Sequence, residues 1–256
     1  MKPSRNWITQ SELPVPGGKI FPPRTGQAPA TPATKRQGRV QDHQKRPDPC
    51  IFSVTIKSGR LRASGTFAIL YGMSAQRKFN ERKATQAAAH LLLLRGGRMS
   101  YMKLIKLLYL ADRAALLKWG RPITTDRYVS MDRGPVLSRI FDLATDGEDP
   151  GAKPIWASVI SDPSNYEVNL KCEPDTDELS DAELSVLDAV FFQYGNLSRW
   201  DLVEVTHNLP EWKNPRGSAI PISYLDILKA GGKSDLEAAV IEDEISDLAE
   251  ADALLA

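Results

Sequence analysis

The nineteen residues from 101 to 119, YMKLIKLLYLADRAALLKW, constrain this chain more than any other stretch. Wound at about 100° per residue, they place Lys103, Lys106 and Arg113 in one narrow stripe, while Leu104, Ile105, Leu107, Leu108, Ala111, Ala115 and Trp119 spread over the remaining surface. A helix apolar on most sides has to be surrounded, so the fold must be built around it. Lys103, on that stripe, is expected to be exposed. Asp112 breaks the pattern, because it falls among Ile105, Leu108, Leu116 and Trp119. A carboxylate there needs partners, since an isolated buried charge is very costly, and Arg127 or Arg133 downstream is the expected one.

Further helices surround it in the sequence. Residues 80–95 read as a helix capped by Asn80 and stopped by Gly96-Gly97, and Ser100 stands where it can cap the central helix. Past Gly120 the text turns to short extended pieces: residues 123–131, then a Gly134-Pro135 corner that opens a short helix, then residues 155–172 as two strands turning at 162–165. Ser180 with Glu183 forms a capping box and Leu179 with Leu184 a hydrophobic staple. Ser198 opens another helix ending before Pro210, a short one follows near Tyr224, and Ser234 with Glu237 opens the last. The expected fold class is α+β: a mostly α-helical single domain with a small antiparallel β-sheet made of residues 123–131 and 155–172.

A length of 256 residues suffices to bury a core without disulfides or metals. The net charge of +1 conceals two unlike parts. Residues 1–72 carry 12 Lys and Arg against 3 Asp and Glu, with 9 of the 18 prolines, whereas residues 73–256 carry 21 against 29, a net of −8. The first part reads as a disordered, basic, proline-rich segment with too little apolar surface to offset the entropy of ordering it. Three origins compete for it: a basic tail, a solvated linker, or a start assigned too far upstream, with Met73 expected as the true start. Residues 73–233 form the expected domain and 234–256 an acidic amphipathic C-terminal helix. No apolar run approaches membrane-spanning length and no secretory segment follows the first charges, so a cytoplasmic location is expected.

Little in the chain points to catalysis. Two cysteines, Cys50 and Cys172, and three histidines supply neither a CxxC pair nor a Cys/His zinc set. His90 and His207 lack a nucleophile context, and Gly96-Gly97 and Gly231-Gly232 are helix stops rather than phosphate loops. No enzyme, cofactor or metal is expected. Grip on nucleic acid is disfavoured by the acidic balance of the folded part. The alternative reading is a transcriptional regulator with a helix-turn-helix near residues 180–208, although its recognition stretch holds one Arg against Asp201 and Glu204.

Three pieces in order, KLIKLLYLADRAALLKWGRPIT, DRYVSMDRGPV and THNLPEW, resemble the Panacea domain, the SocA-like antitoxin family, over residues 99–212. The resemblance falls on Leu104, Lys106, Leu107, Tyr109 and Asp112, on Gly120, Arg121 and Pro122, on Gly134, Pro135 and Val136, and on Thr206, His207 and Trp212. Asp132-Arg133 departs from it, since many relatives carry an aromatic just before the Gly-Pro-Val. The resemblance implies a binding module, common in prophages and mobile elements, that neutralises a cognate toxin encoded beside it. Neutralisation is by direct contact or by delivery to the ClpXP protease as an adaptor. The acidic last helix is the candidate partner-binding element, through Ile241, Ile245 and Leu248 on its apolar side and Glu242, Asp243 and Glu244. The terminus Asp252-Ala-Leu-Leu-Ala256 resembles a protease-delivery tail.

Overall fold

The computed structural model describes residues 77–145 and 154–255; the basic segment 1–72 and the expected start at Met73 lie outside them. In chain order the elements are α1 (Glu81–Leu94), β1 (Arg98–Ser100), α2 (Tyr101–Trp119), β2 (Tyr128–Met131), β3 (Gly134–Leu137), α3 (Ser138–Ala144) and α4 (Pro154–Val159). They continue with β4 (Glu167–Asn169), α5 (Asp181–Tyr194), α6 (Arg199–His207), β5 (Ile220–Ile222), α7 (Tyr224–Ala230) and α8 (Asp235–Leu255). No described helix is long and apolar enough to cross a membrane.

α2 is the axis of the fold, as its composition demands. It packs against α1, α5, α6, α7 and β3, and Leu104, Leu107, Leu108, Tyr109, Ala115 and Leu116 are all wholly buried. Local signals set the surrounding helices. The Asn80 side chain accepts from the Lys83 amide at the start of α1, and capping boxes open α5 (Ser180, Glu183), α6 (Ser198, Asp201) and α7 (Ser223, Asp226). Ser100, by contrast, makes no side-chain cap, and its buried hydroxyl has no partner among the described residues. α2 ends at Gly120, whose φ of +72° closes the helix and whose missing Cβ leaves room for Ile241 of α8.

The fold class is α+β, mostly helical with small antiparallel sheets, but the strands pair differently from expectation. Residues 123–131 and 155–172 do not share a sheet. β2 lies between β3 and β5, whereas β4 pairs with β1. The short edge strands β1 and β5 escape a sequence reading because three residues carry no usable period, and β5 also contains Pro221, tolerated at an edge. PIWASV is not a strand: Trp156, Val159 and Ile160 recur at helical spacing and are buried, and α4 rests on α1 with the Trp156 amide donating to Glu81 Oε1 at 3.0 Å. Of the expected hairpin only its far end survives, as the bridges Ile160 to Leu170 and Ser164 to Glu167. The Gly-Pro corner continues as β3, so α3 starts at Ser138 instead of Pro135.

Candidate functional site

On the cationic stripe of α2, Lys103 is buried, contrary to expectation, as is Lys106, and Arg113 is half-buried. Lys103 reaches the end of α5, donating to the carbonyls of Gly195 and Leu197 at 2.6 and 2.7 Å. Those carbonyls lie beyond the last helical turn and would otherwise lack donors. Lys106, almost wholly enclosed, donates to the Pro135 carbonyl at 2.6 Å, and burial pushes its ammonium down to about 7. Arg113 pairs through Nε with Oε1 of Glu211 at 2.6 Å, and the Tyr109 hydroxyl donates to the same oxygen at 3.1 Å. Burial, reinforced by the Glu211 charge, raises the Tyr109 phenol. Three positive side chains thus find acceptors on elements far along the chain. Lys103 is not exposed because the helix is surrounded on this side too.

Lys106 stands at the meeting point of the three sequence pieces. Gly134 has a φ of +95°, and a Cβ there would lie 2.7 Å from Thr206 Oγ1, 2.8 Å from Lys106 Nζ and 3.2 Å from the His207 ring. Glycine is required by backbone conformation and by space together. The His207 ring stacks on Trp212, centroids 4.0 Å apart, and Trp212 Nε1 donates to the Met131 carbonyl at 3.1 Å. Burial and the neighbouring Lys106 charge push the His207 imidazole down, and its buried Nε2 has no partner among the described residues. The turn between β2 and β3 is therefore held through the Met131 and Pro135 carbonyls and through the Asp132 side chain, which accepts from the Gly217 amide at 2.9 Å.

Asp112 is wholly buried but pairs with no arginine; Arg127 and Arg133 are both exposed. Its Oδ1 accepts the amides of Ile123 and Thr124 at 3.0 Å each, and its Oδ2 accepts the hydroxyls of Thr124 at 2.5 Å and Tyr128 at 3.1 Å. The carboxylate fastens α2 to the segment after Pro122 using four neutral donors. With no countercharge, burial outweighs those bonds and raises its pKa to about 6. Tyr128 in turn meets Tyr109 and Tyr224 edge to face, at 5.6 and 5.7 Å. Asp126 plays a parallel part, its carboxylate accepting the amides of Arg127, Arg139 and Ile140.

Of the remaining family positions, Leu104, Leu107, Pro122 and Val136 are core, Gly120 closes α2 and Arg121 is exposed. On α8, Ile245 is buried, Ile241 sits against the Gly120 backbone, Leu248 and Glu242 are half-buried, and Asp243 and Glu244 face solvent. α8 packs on α7. Sequence reasoning missed Lys103, Arg113, Glu211 and Asp126. The signal for Glu211 was its place inside THNLPEW, beside the tryptophan that stacks on His207. Among the described residues no group of three or more His, Cys, Asp or Glu is placed to hold a metal ion.

These contacts tie the scaffold together, using ionisable groups to grip backbone. No match was found among curated proteins or solved structures. Residues 104–213, the span that runs from the middle of α2 to just past Trp212, match the family model described as antitoxin SocA-like, Panacea domain. The chain carries a SocA-like Panacea domain over those residues.

Proposed function

We propose that this chain is the antitoxin of a toxin–antitoxin pair, binding a cognate protein toxin encoded by an adjacent gene and suppressing it. The family match over residues 104–213 carries this reading. The burial of the motif residues supports it: Lys106, Asp112 and Thr206 direct their polar atoms to groups of the chain itself, which suits a scaffold that presents a surface better than a site that turns over a substrate. The net charge of −8 over residues 73–256 favours encounter with a basic toxin, and the exposed Asp243 and Glu244 of α8 add to that field. Exposed Asp201 and Glu204 on α6 disfavour docking of that helix on phosphates.

Co-expression with the adjacent gene is the test. Growth restored by this chain is the expected result; a harmless neighbour, or toxicity that persists, defeats the reading. Direct blocking and delivery to the ClpXP protease separate in cells lacking that protease, where rescue survives the first mechanism and is lost under the second.

A further inference from the structure

One surface of this acidic molecule has the opposite character. At the start of α6 the indole of Trp200 is 52% exposed, and two guanidinium groups lie over the same ring, Arg199 at 5.3 Å and Arg133 at 5.7 Å. Arg199 also lies over Tyr166, 5.8 Å away and 64% exposed, which in turn meets Tyr101 at 6.3 Å. Neither Arg133 nor Arg199 makes an ion pair among the described residues. Stacking uses the face of a guanidinium and leaves its in-plane N–H fork for a carboxylate.

Two further features set this patch apart from ordinary exposed side chains. Arg199 is the first residue of α6, where the helix dipole favours an anion, so its charge works against the helix it begins. Arg133 stands at the tip of the β2–β3 turn, which Lys106 and Trp212 hold by the Pro135 and Met131 carbonyls and Gly217 by the Asp132 carboxylate, so the arginine side chain is presented by the turn without being needed to build it. Tryptophan, tyrosine and arginine are also the residues over-represented at binding hot spots.

We propose that Arg133, Arg199, Trp200 and Tyr166 form a docking surface for a protein partner that offers a carboxylate next to an apolar or aromatic side chain. A molecule with a net charge of −8 over residues 73–256 repels acidic segments over most of its surface, so a cationic aromatic patch fixes where and in which orientation such a segment lands. A single-stranded nucleic acid would also stack on these rings, but its repeating phosphates would meet exposed Asp132, Asp201 and Glu204 close by in sequence. The surface itself is argued from geometry alone; only the identity of its partner as a toxin rests on the antitoxin reading.

The test has two arms, each using the full chain. In the first, a random peptide library displayed on phage is panned against the protein. Recovered peptides should carry Asp or Glu beside an apolar residue and should bind Trp200→Ala and Arg199→Glu at least about tenfold more weakly, with both variants folded and Arg199→Glu melting at or above the parent temperature. Peptides indifferent to both substitutions overturn the proposal, as does tighter binding of a short single-stranded oligonucleotide through the same residues near physiological salt. In the second arm the adjacent-gene product is titrated against the parent protein, Trp200→Ala and Arg133→Glu. Binding lost in both variants supports the surface, and binding retained in both overturns it while leaving the antitoxin reading intact. Failure of the parent protein to bind defeats the antitoxin reading, and the peptide arm then decides the surface alone.

Discussion

Replacing Asp112 by asparagine tests whether this buried carboxylate is an ion-pair member or a neutral-donor hub. Its two oxygens take four hydrogen bonds, two from backbone amides and two from hydroxyls, with no cation among the partners. A carboxyl raised from 3.8 to about 6 carries, when ionised at neutral pH, a cost of about 3 kcal/mol relative to its protonated form. The folded pKa lies above the unfolded one, so this contribution to stability is fully present below about pH 4 and is lost as the pH rises through about 6. Asparagine imitates the protonated acid: its carbonyl replaces Oδ1 for the amides of Ile123 and Thr124, and its amide meets hydroxyls that can turn to accept. Urea unfolding of parent and Asp112→Asn across this range should therefore show the variant gaining about 3 kcal/mol relative to the parent between about pH 4 and about pH 7.5. Asp112→Ala removes all four acceptor contacts and should be about 3 to 5 kcal/mol less stable than Asp112→Asn, since each stranded buried donor costs roughly 1 to 3 kcal/mol and the cavity partly relaxes. A stability difference between parent and Asp112→Asn that does not vary with pH would refute the assignment. So would Asp112→Asn proving as damaging as Asp112→Ala at neutral pH.

Lys106→Met should become less favourable relative to the parent as the pH rises from about 7 to about 10, because a lysine held near 7 in the fold stabilises above its unfolded pKa and loses that contribution as the pH falls; paired thermal melts check the sign. Gly134→Ala combines a positive φ with contacts under 3 Å to Thr206 and Lys106, and is expected to cost at least ~2 kcal/mol by chemical denaturation. Lys103→Met keeps the apolar stem but removes the donor to Gly195 and Leu197, a loss of ~1 to 3 kcal/mol, where an exposed lysine would show no change. Glu211→Ala strands Arg113 and the Tyr109 hydroxyl and should cost ~3 to 5 kcal/mol, with Glu211→Gln intermediate in the same assay.

Helix boundaries were legible because their signals are local. Asn80, Ser180 with Glu183, and Ser198 act within one turn, and the structure shows each of their bonds. The centrality of α2 was legible because its apolar residues cover most of its circumference. The strand pairing was not, since three- and four-residue strands carry too few side chains to set a register, and β1 finds its partner β4 almost seventy residues away. The stripe Lys103, Lys106, Arg113 was visible as a stripe, yet its burial depends on what α5, β3 and the Glu211 segment bring to it. Spacing along one helix cannot distinguish water from a carbonyl as the acceptor. Asp112 shows the same limit: that it needed partners followed from its position, but donors at Ile123, Thr124 and Tyr128 are set by the path of the chain after Pro122.

The contacts around the β2–β3 turn also explain how one scaffold can keep its shape while its recognition surface changes. Lys106 holds the Pro135 carbonyl, Trp212 holds the Met131 carbonyl and the His207 ring stacks on Trp212. Gly134 admits all three segments only because it has no side chain. None of those bonds involves the Arg133 side chain, and the Asp132 side chain accepts from the Gly217 amide at 2.9 Å. Substitution at Arg133 therefore leaves the turn standing and alters what it presents beside Trp200. Substitution at Gly134, one residue on, strikes the scaffold itself. Adjacent positions in one tetrapeptide thus separate partner choice from fold: Arg133→Glu should change binding with an unchanged melt, and Gly134→Ala should lower the melt whatever the partner. If Arg133→Glu destabilised the protein as much as Gly134→Ala, the turn would owe its shape to its side chains and the division between scaffold and surface would fail.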